Sequence, residues 1–226
     1  MEHAPLQRLR VTFGISGPLV YASVLDMGRL WERLLRRAGV PLAYTQGYSP
    51  HPRLQFASPL PVGYSSECEV VDVWLEGRAA LIDVLRAMRP QSPEGLAIRE
   101  VAEVPLAAPF PQATLRAAEY AVRIETPTSA AEVEAAIARL VAQETLPRRR
   151  VRKKGQLQEY DLRPLIRDVR HVGAEGNRYR LWMNLQCGPQ GSGRPEEVVD
   201  ALGVGASHVA VHRTRLSWGE REENRA

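Results

Sequence analysis

The order of two hydrophobic periodicities along the chain constrains its fold more than any other feature. Residues 8–16 alternate apolar and polar side chains, which predicts a half-buried strand. Residues 22–38 place apolar side chains at helical spacing, and Gly39 with Pro41 predicts the end of that helix. The pattern continues with strand-like pieces at 40–45 and 54–58, a strand at 69–76, a helix at 78–88 and a strand at 96–104. This βαββαβ order is that of a ferredoxin-like domain, in which two helices cover one face of a four-stranded antiparallel sheet.

The same order is predicted again in the second half of the chain. Ser129 is placed to cap a helix, and the glycine-rich segment 188–193 precedes another. The predicted elements are a strand at 120–124, a helix after Ser129, an extended basic segment at 147–154, a strand at 179–185, a helix at 195–202 and a strand at 209–218. We therefore predict an α+β protein with tandem ferredoxin-like halves, residues 1–105 and 117–226, joined by a linker at 106–116 that is rich in proline and alanine.

Composition is that of a soluble globular protein. Of 226 residues, 44% are apolar and 25% are charged. No long apolar run or secretory leader is recognisable, so we expect a cytoplasmic protein without a membrane partner. Cys68 and Cys187 are too few and too far apart for a zinc site or a disulfide framework, so we expect two reduced thiols.

The segment 44–63, here called the proline segment, is unusual for a connection. It holds four prolines, two glycines, three aromatic residues and one histidine in twenty residues. Pro50 and Pro52 bias their predecessors toward extended backbone, so His51 lies in a stiff stretch that can hold its imidazole in one direction. This pattern is typical of a site, and an ordinary proline-rich loop with a solvated histidine is the alternative.

Positive charge is concentrated in residues 146–171. This window holds nine Arg or Lys against three acids, a net charge of +6, whereas the whole chain has +4. Such a surface favours a phosphate backbone as its partner. We predict RNA contact by Arg53 and by the basic run Arg148, Arg149, Arg150, Arg152, Lys153 and Lys154. With about five contacts to a single strand, the logarithmic salt slope of binding would be roughly −3 to −4.

Aromatic side chains on an exposed sheet face could stack on RNA bases, and the candidates are Tyr44, Tyr48, Trp74 and Trp182. A solubilising loop or a surface for an acidic protein would also explain the basic run. The arginines of the first helix are expected to form a solvated face paired with Glu32.

Enzyme motifs are weak in this sequence. The segment 188–195 lacks the Lys-Ser/Thr of a phosphate-binding loop, although the helix after it could accept an anion. His208 and His212 have no carboxylate or cysteine at ligand spacing, and His171 stands alone, so no metal site is predicted. A small metal-free ribonuclease is conceivable, with His51 and Tyr48 as catalytic groups and Arg53 with the basic run at the phosphate. Tandem ferredoxin-like CRISPR RNA endonucleases are similar at the level of fold alone.

The stretch LDMGRLWERLLRRAGVPLAYTQGYSPHP resembles the radical-SAM-linked proteins, a bacterial family of unknown function. Weaker similarity occurs in QEYDLRPLI and GPQGSGRPEEVVDALG. The matching positions are Asp26, Gln46, Gly47, Tyr48, Pro50, His51, Pro52, Asp161, Arg163 and Pro164. The chain departs from the family pattern at Val24, where we expect a histidine.

The resemblance implies a separate radical-SAM enzyme as partner, with the iron–sulfur cluster and S-adenosylmethionine on that partner and no cofactor in this chain. Together with the basic run, it leads us to expect an accessory RNA-binding protein. A protein–protein adaptor that docks the enzyme, and the small ribonuclease, are the alternatives.

Overall fold

The computed structural model describes residues 5–151 and 157–219. The chain divides into two compact units, one of Met1–Leu115 with Gly219–Ala226 and the other of Arg116–Trp218. Both units combine helices with largely antiparallel strands, so the protein belongs to the α+β class.

The first unit has a four-stranded sheet in the order β2-β3-β1-β4. All three pairings are antiparallel. Its elements are β1 (Gln7–Ile15), α1 (Val24–Arg37), β2 (Leu54–Phe56), β3 (Ser65–Leu75), α2 (Leu81–Met88), β4 (Leu96–Val104) and α3 (Pro111–Thr114). Short 3₁₀ helices at Gly17–Tyr21 and Arg89–Gln91 precede α1 and follow α2.

The core of this unit lies between the sheet and helices α1 and α2. The predicted apolar face of β1 is fully buried, as are the inward residues of α1. Phe13 packs edge-on against Trp31 with ring centroids 4.8 Å apart, and Trp31 is wholly inaccessible. Aromatic packing of this kind fixes α1 across β1, so the exposed side of α1 has a defined orientation on this unit.

The second face of β1 is also covered, which corrects the prediction of a half-buried strand. Arg8 is 1% exposed and lies 2.5 Å from Asp72, and Arg10 binds the same carboxylate at 2.8 Å. Arg8 also donates to the carbonyls of Ala108 and Pro109 and stacks on Trp74. The residues expected to form a free linker therefore cover this face and satisfy a buried arginine.

Within the second unit, β5 lies between β9 and β11, and β8 and β10 pair with β9. A separate two-stranded sheet is formed by β6 and β7. The elements are β5 (Leu115–Glu125), α4 (Ala130–Ala142), β6 (Pro147–Val151), β7 (Leu157–Asp161), β8 (Ile166–Glu175), β9 (Arg178–Gly188), β10 (Gly191–Ser192), α5 (Pro195–Leu202) and β11 (His208–Trp218).

Most local predictions in this unit are confirmed. Ser129 caps α4 in a capping box, in which its hydroxyl accepts from the backbone of Glu132 and the Glu132 carboxylate accepts from the backbone of Ser129. Helix α5 has the predicted bounds 195–202, and the strands at 120–124, 179–185 and 209–218 are present.

Three predictions differ from the structure. Residues 40–45 form no strand and contribute two isolated bridges, Leu42 to Leu75 and Tyr44 to Pro52. Strands β7 and β8 are absent from the sequence prediction. The stretch 106–116 contains α3 and the start of β5.

The two cysteines are free, as expected, with Cys187 buried and Cys68 half-buried.

Candidate nucleic-acid interface

The basic run lies on a β-hairpin formed by β6 and β7, here called the basic hairpin. Arg148, Arg149 and Arg150 pair with Tyr160, Glu159 and Gln158 across the two strands. Successive side chains of a strand point to opposite faces, so Arg148 and Arg150 share one face and Arg149 takes the other. Alternate arginines of the run therefore have different surroundings.

The inner face of the hairpin is bound to helix α5. Arg150 makes a two-pronged contact with the Glu197 carboxylate, with distances of 2.9 and 3.0 Å, and its guanidinium stacks on Tyr160. Burial disfavours the charged form of Arg150, but the hydrogen bond and charge of Glu197 outweigh this and raise the pKa of the guanidinium. Burial and the adjacent Glu197 carboxylate also raise the pKa of Tyr160. Arg148 approaches Asp200 at 3.9 Å. Arg150 therefore holds the hairpin to α5, and the longer Arg148 contact adds little because Asp200 is largely exposed.

The outer face of the hairpin is open to solvent. Arg149 is 72% exposed and pairs at 2.9 Å with Glu159, which is equally exposed. An ion pair this exposed contributes about 0–1 kcal/mol, so a phosphate could replace Glu159 at little cost. Arg152, Lys153 and Lys154 lie outside the described residues.

The remaining arginines of residues 146–171 have partners within the unit. Arg170 lies 2.5 Å from Asp168 and stacks on Trp182. Arg163 donates to the carbonyls of Val141, Gln143 and Ile166, and Arg167 donates to the carbonyl of Arg116. His171 contacts Glu134 at 2.9 Å. The acids Glu134, Glu197 and Asp200 lie outside this window of the sequence and contact it in the fold, so the net charge of the window overstates the positive charge that it presents.

The proline segment forms a loop closed near its base. The Thr45 amide donates to the His51 carbonyl at 2.7 Å, and the His51 amide donates to the Thr45 hydroxyl at 3.0 Å. Gln46, Gly47 and Pro50 are exposed at the tip, whereas Pro52 is buried. These bonds fix the base of the loop and leave its tip to solvent.

Tyr48 and His51 are both exposed on this loop. The Tyr48 side chain is completely exposed, and the described residues offer no hydrogen-bond partner to the His51 imidazole. A fully exposed tyrosine contributes no packing, and its ring is free to stack on a base. The predicted roles of both residues stay predictions.

The other predicted RNA contacts are less accessible. Trp74 is 4% exposed, lies between Arg8 and Arg53, and touches Phe110, so the prediction that it stacks on a base is wrong. Arg53 is half-buried over that ring. Trp182 is half-buried beneath Arg170. Tyr44 is 40% exposed, with the guanidinium of Arg36 5.8 Å from its ring.

A small apolar pocket lies beside the later part of the proline segment. Phe13, Met27, Phe56, Leu60 and the buried Glu69 line it, and its volume is about 40 Å³. This space holds a few water molecules and no sizeable ligand. Within residues 5–151 and 157–219, no three His, Cys, Asp or Glu side chains are grouped to hold a metal ion.

Several positions of the family pattern stabilise local structure. The Asp161 carboxylate accepts from the amides of Leu146 and Arg163, which closes the base of the basic hairpin. Pro164 lies in the 3₁₀ helix that follows. Asp26 accepts from the Ser23 hydroxyl at 2.6 Å at the start of α1, and this bond is the main cause of its lowered pKa. The remaining matching positions lie in the proline segment.

The exposed face of α1 differs from the sequence expectation. Arg36 pairs with Glu32 at 2.7 Å, as expected for a solvated face. Arg33 and Arg37 are exposed and form no ion pair with any residue in the described part of the chain. Their spacing with Arg29, every fourth residue, is visible in the sequence and could have revealed a continuous positive stripe.

Residues 8–195 match the family DUF2344, described as an uncharacterized protein conserved in bacteria. The match covers most of the chain, which therefore belongs to this family. The resemblance to a bacterial family of unknown function is confirmed to this extent. The description names no radical-SAM protein, so that link stays a prediction. No curated protein matches the sequence significantly.

The chain has structural similarity to solved structures at low sequence identity. The crystal structure of a Cbf5-Nop10-Gar1 complex contains a chain with a TM-score of 0.50 and 13% identity over 95% of this chain. A chain of the archaeal box H/ACA sRNP Nop10-Cbf5 complex has a TM-score of 0.47 and 11% identity over 91%. The present chain spans 50% and 47% of those chains, about half of their length.

No helix in the described part of the chain is both long and apolar enough to cross a bilayer.

Proposed function

We propose that this member of the DUF2344 family is an accessory RNA-binding protein of the cytoplasm. The observation that carries the proposal is that the two faces of the basic hairpin have different contacts: one binds α5 and the other faces solvent. Arg148 and Arg150 contact α5, while Arg149 projects to solvent at the start of a run that continues with Arg152, Lys153 and Lys154. A positively charged strand face that is anchored on the opposite side can bind the phosphate backbone of RNA. Such contacts carry no sequence information.

The proline segment supports the same proposal from the first unit. Its exposed Tyr48 offers a ring for stacking, and stacking on a base is worth about 1–3 kcal/mol in single-strand binding proteins. An aromatic ring can stack on any base, and contact with the phosphate backbone does not depend on the base either. We therefore expect binding to single-stranded RNA with little sequence preference.

Binding of purified protein to fluorescent single-stranded and structured RNA across a salt series tests this function. We expect affinity to fall steeply with salt, with a logarithmic slope of roughly −3 to −4 for about five phosphate contacts on a single strand. Tyr48→Ala should weaken binding without changing the slope, because it removes stacking and no charge. An absence of binding at low salt would contradict the proposal.

We further propose that a separate radical-SAM enzyme acts on the bound RNA or on a ribosome-associated substrate, and that this partner holds the iron–sulfur cluster and S-adenosylmethionine. The sequence resemblance supports this step. Sedimentation of the protein with a purified radical-SAM protein from the same organism tests the partnership. A complex without any RNA binding would favour the adaptor alternative, and no complex would remove the radical-SAM partner from the account.

The ribonuclease alternative can be separated from simple binding. RNA cleavage by the wild type that disappears in a folded His51→Ala variant would support it. Intact RNA after long incubation with the wild type would exclude cleavage of that RNA and leave binding as the function.

We also propose that each unit is a ferredoxin-like half. In the first unit, the order β2-β3-β1-β4 with α1 and α2 packed on one face supports this assignment. In the second, the order β8-β9-β5-β11 with α4 and α5 supports it in the same way. Independent folding of residues 1–115 and 116–218, measured by cooperative thermal unfolding of each piece, tests whether the halves are separate domains.

A further inference from the structure

We infer that a groove on the first unit, between α1 and residues 89–93, binds the phosphate backbone of RNA through Arg29, Arg33 and Arg37. We call these three residues the arginine row. The inference rests on the proposed RNA-binding function and adds to it a site that the sequence prediction placed elsewhere, on the basic hairpin.

The groove is a large, open depression with an apolar floor and a positive edge. Its volume is about 590 Å³. Leu30 and Leu34 of α1 line it, and Pro90 and Ser92 line the opposite side beyond α2. Leu34 is 2% exposed and belongs to the core, so α1 cannot rotate and carry the row away from the groove. The row is therefore held in place by the same packing that folds the unit.

The arginine row keeps most of its charge. Arg33 and Arg37 are exposed and form no ion pair among the described residues. Arg29 approaches Asp26 at 3.8 Å, but both side chains are more than half exposed, so this contact is weak. Among the described residues, Asp26 is the one acid that lines the groove, and it lies at one end. The centre of the groove is bordered by uncompensated positive charge.

Helix stability does not explain this row. Like charges four residues apart destabilise a helix by about 0.2–0.5 kcal/mol per pair, and the row contains two such pairs. A cation in the last turn is favoured by the helix dipole, which accounts for Arg36 and Arg37. Arg29 and Arg33 lie before that turn and gain nothing from it. Binding an anion would remove this repulsion.

The chemistry of the groove favours a phosphate backbone. A guanidinium presents a planar fork of donors that fits phosphate oxygens in pairs. Residues four apart on a helix are separated by about 6 Å along its axis, so the row is about 12 Å long and can follow several consecutive phosphates. The lining residues include no aromatic side chain, so bases are not expected to stack there. We therefore expect the groove to bind the phosphate backbone and not to distinguish between RNA sequences.

Two arginines of α1 provide a matched pair for the test. Arg33→Gln and Arg36→Gln remove the same charge from the same helix, but Arg36 is already paired with Glu32. We would measure binding of labelled single-stranded RNA to the wild type, to both variants and to Arg33→Gln/Arg37→Gln across a salt series. Thermal melting of each variant verifies the fold, which is expected to be retained because these side chains are exposed.

The expected result is a difference between the two arginines. Arg33→Gln should weaken binding severalfold and reduce the salt slope by about 0.7, and the double variant should reduce it by about 1.4. Arg36→Gln should change the slope by much less. Equal effects of Arg33→Gln and Arg36→Gln, with the wild type binding RNA, would overturn the groove and leave the proposed function standing. No RNA binding by the wild type would instead overturn the proposed function. Tighter binding of poly-glutamate than of RNA at the row would assign the groove to an acidic protein and overturn the inference.

Discussion

The basic hairpin and the arginine row contain similar residues and present very different surfaces. In the hairpin, Arg148 and Arg150 contact Asp200 and Glu197 on α5, and they are about one-third exposed. On α1, Arg33 and Arg37 are exposed and border a groove in which Asp26 is the one acid that the described part of the chain contributes to the lining. The hairpin is the more basic region in the sequence, whereas the row retains more of its charge in the fold.

The number of charged residues in a stretch of sequence therefore differs from the charge that remains unpaired in the fold. Glu197 and Asp200 lie about fifty residues after the run, so a window along the sequence cannot include them. On α1, Glu32 pairs with Arg36, and Asp26 lies 3.8 Å from Arg29. We therefore assign more of the RNA contact to the row than to Arg148 and Arg150.

The largest effect is expected from Arg33→Glu. The substitution turns two repulsive pairs on α1 into two attractive ones, with Arg29 and Arg37, and should raise helix stability by about 0.8–2 kcal/mol. It also removes the positive centre of the groove, so RNA affinity should fall at least tenfold with a slope reduced by about 2. Thermal melting and RNA titration check the two parts. A variant that is more stable and binds RNA as well as the wild type would contradict the role of the row.

A smaller effect is expected from freeing Arg150 in the hairpin. Glu197→Gln removes the charged partner of a half-buried guanidinium and should cost about 1 kcal/mol of unfolding free energy, measured with denaturant. Glu159→Gln is the control, because the exposed pair with Arg149 should cost less than about 0.5 kcal/mol. Both variants add a net positive charge and should bind RNA slightly more tightly. Equal stability losses would mean that the inner face does not anchor the hairpin.

The smallest effect concerns one carboxylate in each unit. The Ser23 hydroxyl lowers the pKa of Asp26, and the Ser129 hydroxyl lowers the pKa of Glu132. A carboxyl with a lowered pKa in the folded state contributes stability above its ordinary pKa, 3.8 for Asp26 and 4.5 for Glu132. That stability is lost as pH falls through the lowered value, because the folded state then binds the proton as well.

NMR titration of the two carboxyl groups measures these shifts. Ser23→Ala should return the pKa of Asp26 toward 3.8, and Ser129→Ala should return that of Glu132 toward 4.5, each leaving the other group unchanged. An unchanged pKa of Asp26 in Ser23→Ala would show that the hydroxyl is not the cause. Protonation of Asp26 also removes the acid at the end of the groove, so RNA binding should strengthen slightly at acidic pH.

Strong periodicity allowed much of the fold to be predicted. The alternation in β1 and the helical spacing in α1 each describe one apolar face, and these faces form the core of the first unit. Strand β8 was missed because Arg167, Asp168 and Arg170 interrupt its apolar pattern. It pairs along the outer side of β9, where few apolar side chains are needed.

The candidate site was harder to predict, because long-range partners decide it. Arg8 has the sequence context of an outward strand residue, yet Asp72, Ala108 and Pro109 bury it. Trp74 was expected to stack on RNA, and Arg8 and Phe110 cover it. The row on α1 was detectable from spacing alone, but its lack of partners required the structure.

The most direct test of the account compares two triple variants that each remove three charges. One is Arg29→Gln/Arg33→Gln/Arg37→Gln on α1, and the other is Arg148→Gln/Arg149→Gln/Arg150→Gln on the basic hairpin. The measurement is the salt slope of single-stranded RNA binding for each variant and the wild type. We expect the salt slope to decrease by about 2 for the row variant and by at most about 1 for the hairpin variant, because Arg149 alone of the three hairpin arginines faces solvent. A larger decrease for the hairpin variant than for the row variant would show that the hairpin, and not the row, is the main RNA contact.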